Sequence, residues 1–159
     1  MVYSIINESA EEEMETIRKA EKKDASAILY LIRKVQINPF GLDWRHFLVA
    51  VDGQERVIST GQIKPHRDGT RELASIATHP DYRGLGLASA IITRLLLENP
   101  PPLYLRCAER MGPFYTRFHF RNLALDEMPA DYARSVRLLD GMRRIVAPGI
   151  SRLLVMKLE

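Results

Sequence analysis

Apolar and polar positions change period several times along the 159 residues, and each change predicts an element boundary. Thr16 to Ala20 alternates, with Ile17 apolar and Arg18 polar, and predicts a first strand. Asp24 suits an N-cap, and Ala27, Ile28, Leu31, Ile32 and Val35 then recur at helical spacing. Asn38-Pro39-Phe40-Gly41 breaks that helix. Phe47 to Val51 and Val57 to Ile63 predict two strands joined at Asp52-Gly53, a hairpin signal. A polar turn from His66 to Thr70, with Asp68-Gly69, leads into a strand carrying Leu73, Ala74, Ile76 and Ala77. Pro80 ends it, having no N–H to donate. From Ala88, the spacing of Ile91, Ile92, Leu95 and Leu96 predicts an amphipathic helix, which Asn99 and Pro100 to Pro102 terminate.

The rest of the chain is less regular. Leu103 to Cys107 predicts a buried strand, parallel to the Leu73 strand because a helix lies between them. Leu123 to Leu125 predicts a short strand, and Ser151 to Leu158 a last one with Leu153, Val155 and Leu158 alternating. Between them, Ala130 to Arg144 reads as an extra helix, with Tyr132, Val136, Leu139 and Met142 on one side. Arg134, Arg137, Arg143 and Arg144 give it a basic face, which suits solvent or an acidic acceptor. The expected fold class is therefore mixed α/β, with a mostly antiparallel central sheet and flanking helices.

Composition narrows the function classes. Apolar content of 46% and charge of 27% are ordinary for a globular chain of single-domain size. A net charge of +3 and a pI near 9.1 favour phosphate-bearing ligands but are too small to argue for nucleic acid. Cys107 is the one cysteine, so neither an internal disulfide nor a cysteine metal site is expected. No metal is expected. The acidic segment 1–14 reads as peripheral, and Asn7 and the glutamates after it do not suit a signal peptide. No uncharged run has the length of a membrane span, so the expected location is the cytoplasm.

The chemistry is concentrated between Glu72 and Asn99. Gly84 and Gly86 sit between a strand and a helix, where free N–H groups and a partial positive charge suit a phosphate. Arg83 adds a charged donor to the same anion. A Walker loop is excluded, because neither the glycine spacing nor the Lys-Ser/Thr pair is present. A dinucleotide loop stays open: Gly84-x-Gly86-x-x-Ser89 lacks a third glycine, and His79 to Arg83 separate strand from loop, but Glu109 sits where a ribose-binding acid belongs. So does a turn whose glycines serve only the backbone.

A third pattern fits in more detail. Arg83, Gly86 and Ala88 match Arg/Gln-x-x-Gly-x-Gly/Ala, and Pro80, Tyr82, Arg83 and Gly84 match its flanking residues. This segment resembles the acyl-CoA loop of the GNAT N-acetyltransferase superfamily. Gly112 to Phe120 is similar to that family's Phe-Tyr-x-x-x-Gly-Phe segment, and the Ile17 to Asp24 opening resembles the start of many members. The resemblance covers residues 15–159 as one domain with the 130–144 helix added. It implies a parallel strand pair that splays apart.

The resemblance also implies a site. Backbone groups of Ile76, Ala77 and Thr78 would bond the pantetheine arm of acetyl-CoA, and the amides of Gly84, Leu85, Gly86, Leu87, Ala88 and Ser89 would hold the pyrophosphate. The thioester would end near Cys107. Tyr115 falls where a tyrosine protonates the departing thiolate, and Glu72 where some members keep a base. His79 titrates in a useful range but lies beside the loop. Phe40, Asp43 and Trp44 are candidates to border the acceptor. Two departures stand out: Ala108 replaces a pantetheine-binding Asn, and His119 replaces a Gly in the turn before Phe120. The reaction that the resemblance implies is direct attack of a primary amine on the acetyl carbonyl; Cys107 has no histidine in an obvious pairing and is expected to be a buried strand cysteine. The implied partners are acetyl-CoA and an amine acceptor, with a homodimer left open and no membrane. A non-catalytic acyl-CoA sensor is the alternative, ahead of a dinucleotide- or nucleic-acid-binding domain.

Overall fold

Three consecutive strands lead into the glycine loop, as the hydrophobic pattern implies. A computed structural model describes residues 15–145, 149 and 151–159. The segment 1–14, expected to be peripheral, lies outside the described residues. In chain order the elements are β1 (Thr16–Lys19), α1 (Ala25–Lys34), β2 (Phe47–Val51), β3 (Val57–Pro65) and β4 (Arg71–Thr78). Then come α2 (Leu87–Glu98), β5 (Leu103–Ala108), α3 (Gly112–Thr116), β6 (Arg121–Asn122), α4 (Ala130–Ile145) and β7 (Leu153–Leu158). The seven strands are ordered β1-β2-β3-β4-β5-β7-β6. β1 runs antiparallel to β2, with Ile17 opposite Ala50. β5 runs parallel to β4, with Glu72 opposite Tyr104, and antiparallel to β7, with Leu105 opposite Met156. The fold is thus mixed α/β, mostly antiparallel with one parallel pair. The parallel pair follows from the helix between its strands, since a return in the same direction needs a crossover.

The chain forms two compact units, Met1–Gly61 with Ser75–Ile92, and Gln62–Ala74 with Thr93–Glu159. Each has its own core. In the first, Ile28, Leu31 and Ile32 of α1 pack with Phe47, Val49 and Val51 of β2 and Ala77 of β4. Helical spacing on α1 meets alternate positions on β2, so both periods point at one cluster. Ile32 is fully buried, and a side chain of that kind contributes about 1.5–3 kcal/mol. In the second, Tyr132 and Val136 of α4 pack with Leu123 and Val155.

Three expectations change in detail. Asp24 does occupy the N-cap of α1, but its side chain makes no cap bond there. Its carboxylate accepts instead from the Glu21 amide at 2.7 Å and from Arg18 at 2.7 and 3.2 Å. A charged donor beside a 4% exposed carboxylate is the stronger partner. Burial pushes Asp24 up, but Arg18 and the Glu21 amide outweigh it and hold the carboxyl below its ordinary value. The expected Leu123–Leu125 strand lies earlier, at Arg121–Asn122. The Glu127 carboxylate captures the Ala124 amide at 2.8 Å and turns the chain before Leu125 can pair. On α4, Tyr132 and Val136 are buried as expected, but Leu139 and Met142 are 36% and 47% exposed. The last turns of α4 run past the apolar surface that covers its first ones.

Candidate functional site

The glycine loop of the first unit is built by local backbone chemistry. His79 donates its amide to the Ile58 carbonyl at 2.8 Å, and its Nδ1 accepts from the Asp81 amide at 3.2 Å. A single 3₁₀ turn, Pro80–Tyr82, follows, with proline at the start where no N–H is needed. Asp52 anchors this turn. Its carboxylate accepts from the Gln54 and Arg56 amides at 2.9 and 3.0 Å, from Arg56 Nε at 2.7 Å and from the Tyr82 hydroxyl at 3.3 Å.

Beyond it, Gly84 and Gly86 both adopt left-handed φ, 80° and 81°. A Cβ at either would meet nothing within 4 Å, so the chain bends around open space. The Gly86 carbonyl accepts the Ala90 amide at 2.9 Å and so starts α2. The amides of Leu87, Ala88 and Ser89 form its first turn, which has no acceptor within the helix. Leu87 is 5% exposed and anchors the turn, whereas Leu85 is 60% exposed. Arg83 is exposed beside them.

The end of β4 carries a feature that the sequence pattern does not show. Ser75 has φ 57°, left-handed for a non-glycine inside a strand. Neighbouring hydroxyls hold it: Thr60 donates to the Ser75 carbonyl at 3.0 Å, and Ser59 donates to the Ala77 carbonyl at 3.0 Å. Ser59 also pairs with the Thr78 hydroxyl at 2.8 Å. Ala77 is buried in the first core, while Ile76 and Thr78 are half-buried. A serine reads like any strand residue, so only the hydroxyls on β3 hinted at the kink.

In the second unit, Arg106 and Cys107 are consecutive on β5 and therefore face opposite sides of it. On one side stand Cys107 and Tyr115. The Tyr115 ring lies edge-on to Phe114 and Phe120, with centroids 5.1 and 6.4 Å away. Burial, then the neighbouring Cys107, push its phenol well above the ordinary value of 10.0. Burial pushes the Cys107 thiol up to about 11. Both groups are neutral at physiological pH: the phenol is a proton donor and the thiol a poor nucleophile. Downstream, His119 has φ 67°, so the histidine takes the left-handed turn in place of glycine.

On the other side stands Glu72, 4% exposed on β4. Its carboxylate is held in a fork by Arg106, with Nε and Nη2 each at 2.9 Å, and by His66 Nε2 at 2.6 Å. Arg106 also reaches the Ser135 hydroxyl of α4 at 3.2 Å and lies 5.1 Å over the Tyr132 ring. The Glu72 hydrogen bond, opposed by burial, raises the Arg106 guanidinium further. Sequence reasoning selected Glu72 but missed His66 and Arg106. The signal for Arg106 was a lone charge inside the apolar Leu103–Cys107 run. Among the described residues, no group of three or more His, Cys, Asp or Glu side chains could hold a metal. None of their helices is long and apolar enough to cross a membrane.

Comparison with known proteins agrees with this architecture. No curated protein matches the chain in sequence. N-acetylglutamate synthase from Neisseria gonorrhoeae, solved with coenzyme A and L-arginine, superposes with TM-score 0.67 at 18% identity, over 94% of this chain and 34% of that one. The chain thus spans about a third of that synthase. A Mycobacterium tuberculosis protein solved with CoA gives TM-score 0.66 at 21% identity, over 90% of this chain and 98% of that one. A GNAT acetyltransferase from Staphylococcus aureus Mu50 gives 0.65 at 13%, over 91% and 99%. The model of the acetyltransferase (GNAT) domain matches residues 43–122, which run from the turn before β2 through the glycine loop and Tyr115 to β6. With half its length in that match, and with the sheet order and glycine turn described above, the chain belongs to the GNAT acetyltransferase family.

Proposed function

We propose that the chain transfers an acetyl group from acetyl-CoA to a primary amine by direct attack. The observation that carries this reading is the Gly84–Gly86 turn. Both glycines take φ values that side chains avoid, both face open space, and the turn opens into the first amides of α2. That combination suits a pyrophosphate, whose oxygens need several donors at close approach. Arg83 adds charge, and Ile76, Ala77 and Thr78 are assigned to the pantetheine arm as an added strand would be. CoA-bound structures among the similar folds support the choice of ligand.

The chemistry then falls to the second unit's side chains. Tyr115, protonated and buried, donates to the departing thiolate. Glu72 is assigned to the side from which the acceptor's proton leaves. A neutral, buried Cys107 argues against an acyl-cysteine intermediate. The expected site of action is the cytoplasm.

Calorimetry of acetyl-CoA with the native chain and with Gly86→Glu tests the reading. A Cβ there would meet nothing within 4 Å, so the substitution adds bulk and negative charge beside the space assigned to the pyrophosphate, at a φ of 81° that strains any side chain. Binding by the native chain and none by a folded variant is expected. A folded native chain that binds no acetyl-CoA would sink the assignment. Binding without thiol release, across a panel of primary amines, would favour a non-catalytic acyl-CoA sensor.

A further inference from the structure

The Glu72 cluster does not have the geometry of a simple carboxylate base. Its Oε1 accepts from Arg106 Nε, and its Oε2 accepts from both Arg106 Nη2 and His66 Nε2. Both oxygens are thus occupied by donors, and neither is turned toward an acceptor amine. The histidine is placed differently. With Nε2–H donating to the carboxylate, the neutral ring carries its lone pair on Nδ1. Nδ1 meets no hydrogen-bond donor among the described residues. The His66 side chain is 23% exposed, whereas that of Glu72 is 6% exposed. An imidazole fixed by a carboxylate, with its second nitrogen free, is the arrangement of a general base.

We infer that His66 is the catalytic residue that takes the acceptor amine's proton, and that Glu72 and Arg106 are positioning residues that fix its ring. This rests on the acetyltransferase reading above and revises only who accepts the proton. The acceptor arrives as an ammonium and passes one proton through Nδ1 of His66 to water. Its nitrogen then bonds to the acetyl carbonyl carbon as the carbon–sulfur bond breaks. The second nitrogen-bound proton goes to His66, while Tyr115 supplies the one that converts the thiolate to CoA thiol. Tyr115 recovers its proton from solvent and His66 returns its own to solvent, so the net products are the amide, CoA thiol and one proton to solvent.

Other charges face the ring from every packed element. Glu72 reaches it from β4, and Arg106 from β5 through that carboxylate. Tyr132 of α4 lies edge-on at 5.8 Å. Asp68 shares its turn, with a carboxyl held low first by the Thr70 amide and then by the Thr70 hydroxyl. Asp131, also on α4, acts on Arg106. Asp131 is itself paired with Arg134 at 3.1 Å, so Glu72 and Asp68 are the carboxylates that act on the ring, while Arg106 is held mainly by Glu72.

The first test needs no acceptor. Nitrogen-15 shifts of the four histidine rings, assigned by substitution, should show His66 as the Nε2–H tautomer when neutral. In Glu72→Gln, Arg106 occupies the amide oxygen and the amide NH₂ turns to the ring, so the tautomer should switch to Nδ1–H. A native ring already in the Nδ1–H form would overturn the proposal. The second test follows CoA thiol release with primary amines from pH 6 to 9. His66→Gln should lose about 10²-fold or more in kcat/KM. It should also lose the fall in rate on the acid side that an imidazole base imposes, and free imidazole should restore part of the activity. A folded His66→Gln enzyme with the native pH profile would overturn it. Acetyl-CoA binding by His66→Gln, measured by calorimetry, should be unchanged. Failure of the native chain to bind acetyl-CoA is thus a separate result, and it sinks the acetyltransferase reading rather than the role of His66.

Discussion

In the first unit, the turn over Gly84 and Gly86 offers backbone amides, and a Cβ at either glycine would stand in open space. In the second, Glu72, Arg106 and His66 are side chains from three separate segments, converging under α4. The loop is assembled from consecutive residues, so its chemistry survives any change elsewhere that leaves the turn intact. The cluster exists only while β4, β5 and the 66–70 turn are folded together. Backbone donors recognise an anion almost regardless of neighbouring side chains. A side-chain cluster depends on every member, because removing one leaves a buried charge unpaired.

Changes in one region should therefore spare the other, and the largest effect belongs to the cluster. Arg106→Met leaves the 4% exposed Glu72 carboxylate without its fork and should cost about 3 kcal/mol in urea unfolding. Acetyl-CoA affinity of the folded fraction should stay within a few-fold of native. A large loss of affinity would break the separation between the two regions.

Tyr115→Phe probes chemistry without touching either region. The phenol stays protonated because burial pushes it up, so its loss removes a donor and no charge. A fall of about 10²-fold in kcat with little change in acetyl-CoA affinity is expected from stopped assays of thiol release.

Asp24→Asn tests a pair that belongs to the first unit's fold and to neither region. The folded carboxyl lies below its ordinary value of 3.8. Its stabilisation is therefore fully present above that value and is lost as pH falls through the lower folded one. The native chain should lose stability on that acid limb, and the variant, which lacks the charged partner, should be about 2 kcal/mol less stable already at neutral pH. Denaturant melts at pH 7 and pH 2.5 distinguish the two. A native-like melt of the variant at pH 7 would show that Arg18 contributes nothing there.

The smallest effect is expected at His119→Gly. A left-handed φ of 67° strains histidine but not glycine, although glycine also gains freedom in the unfolded chain. The balance should be a stabilisation of at most about 1 kcal/mol, seen as a rise in Tm. A fall in Tm would mean that the histidine side chain has a role of its own.

Much of this was legible beforehand, for reasons that differ by element. The apolar run Phe47 to Val51 marks a strand and the helical spacing of Ile28, Leu31 and Ile32 states which helix face is buried, and the structure packs that face against alternate residues of the strand. The parallel β4–β5 pair followed from a helix between two strands. β6 was misplaced, because pairing with β7 competes with a side chain, Glu127, that no periodicity reveals. The exposed end of α4 was misjudged because amphipathicity says which face is apolar, not how far the partner surface extends.

By itself, the sequence determined the elements other than β6, the sheet's mixed character, the glycine loop and the family resemblance. All four are written in residues close together along the chain, where period, turn chemistry and backbone freedom act. Only the tertiary structure decided that Ser75 is kinked and held by Thr60, and that Asp24 serves Arg18 rather than a helix cap. It alone brought His66 and Arg106, which are 40 residues apart by number, onto the two oxygens of Glu72. Side-chain partners across that separation depend on strand register and crossover, and these are set by the packing of the whole sheet.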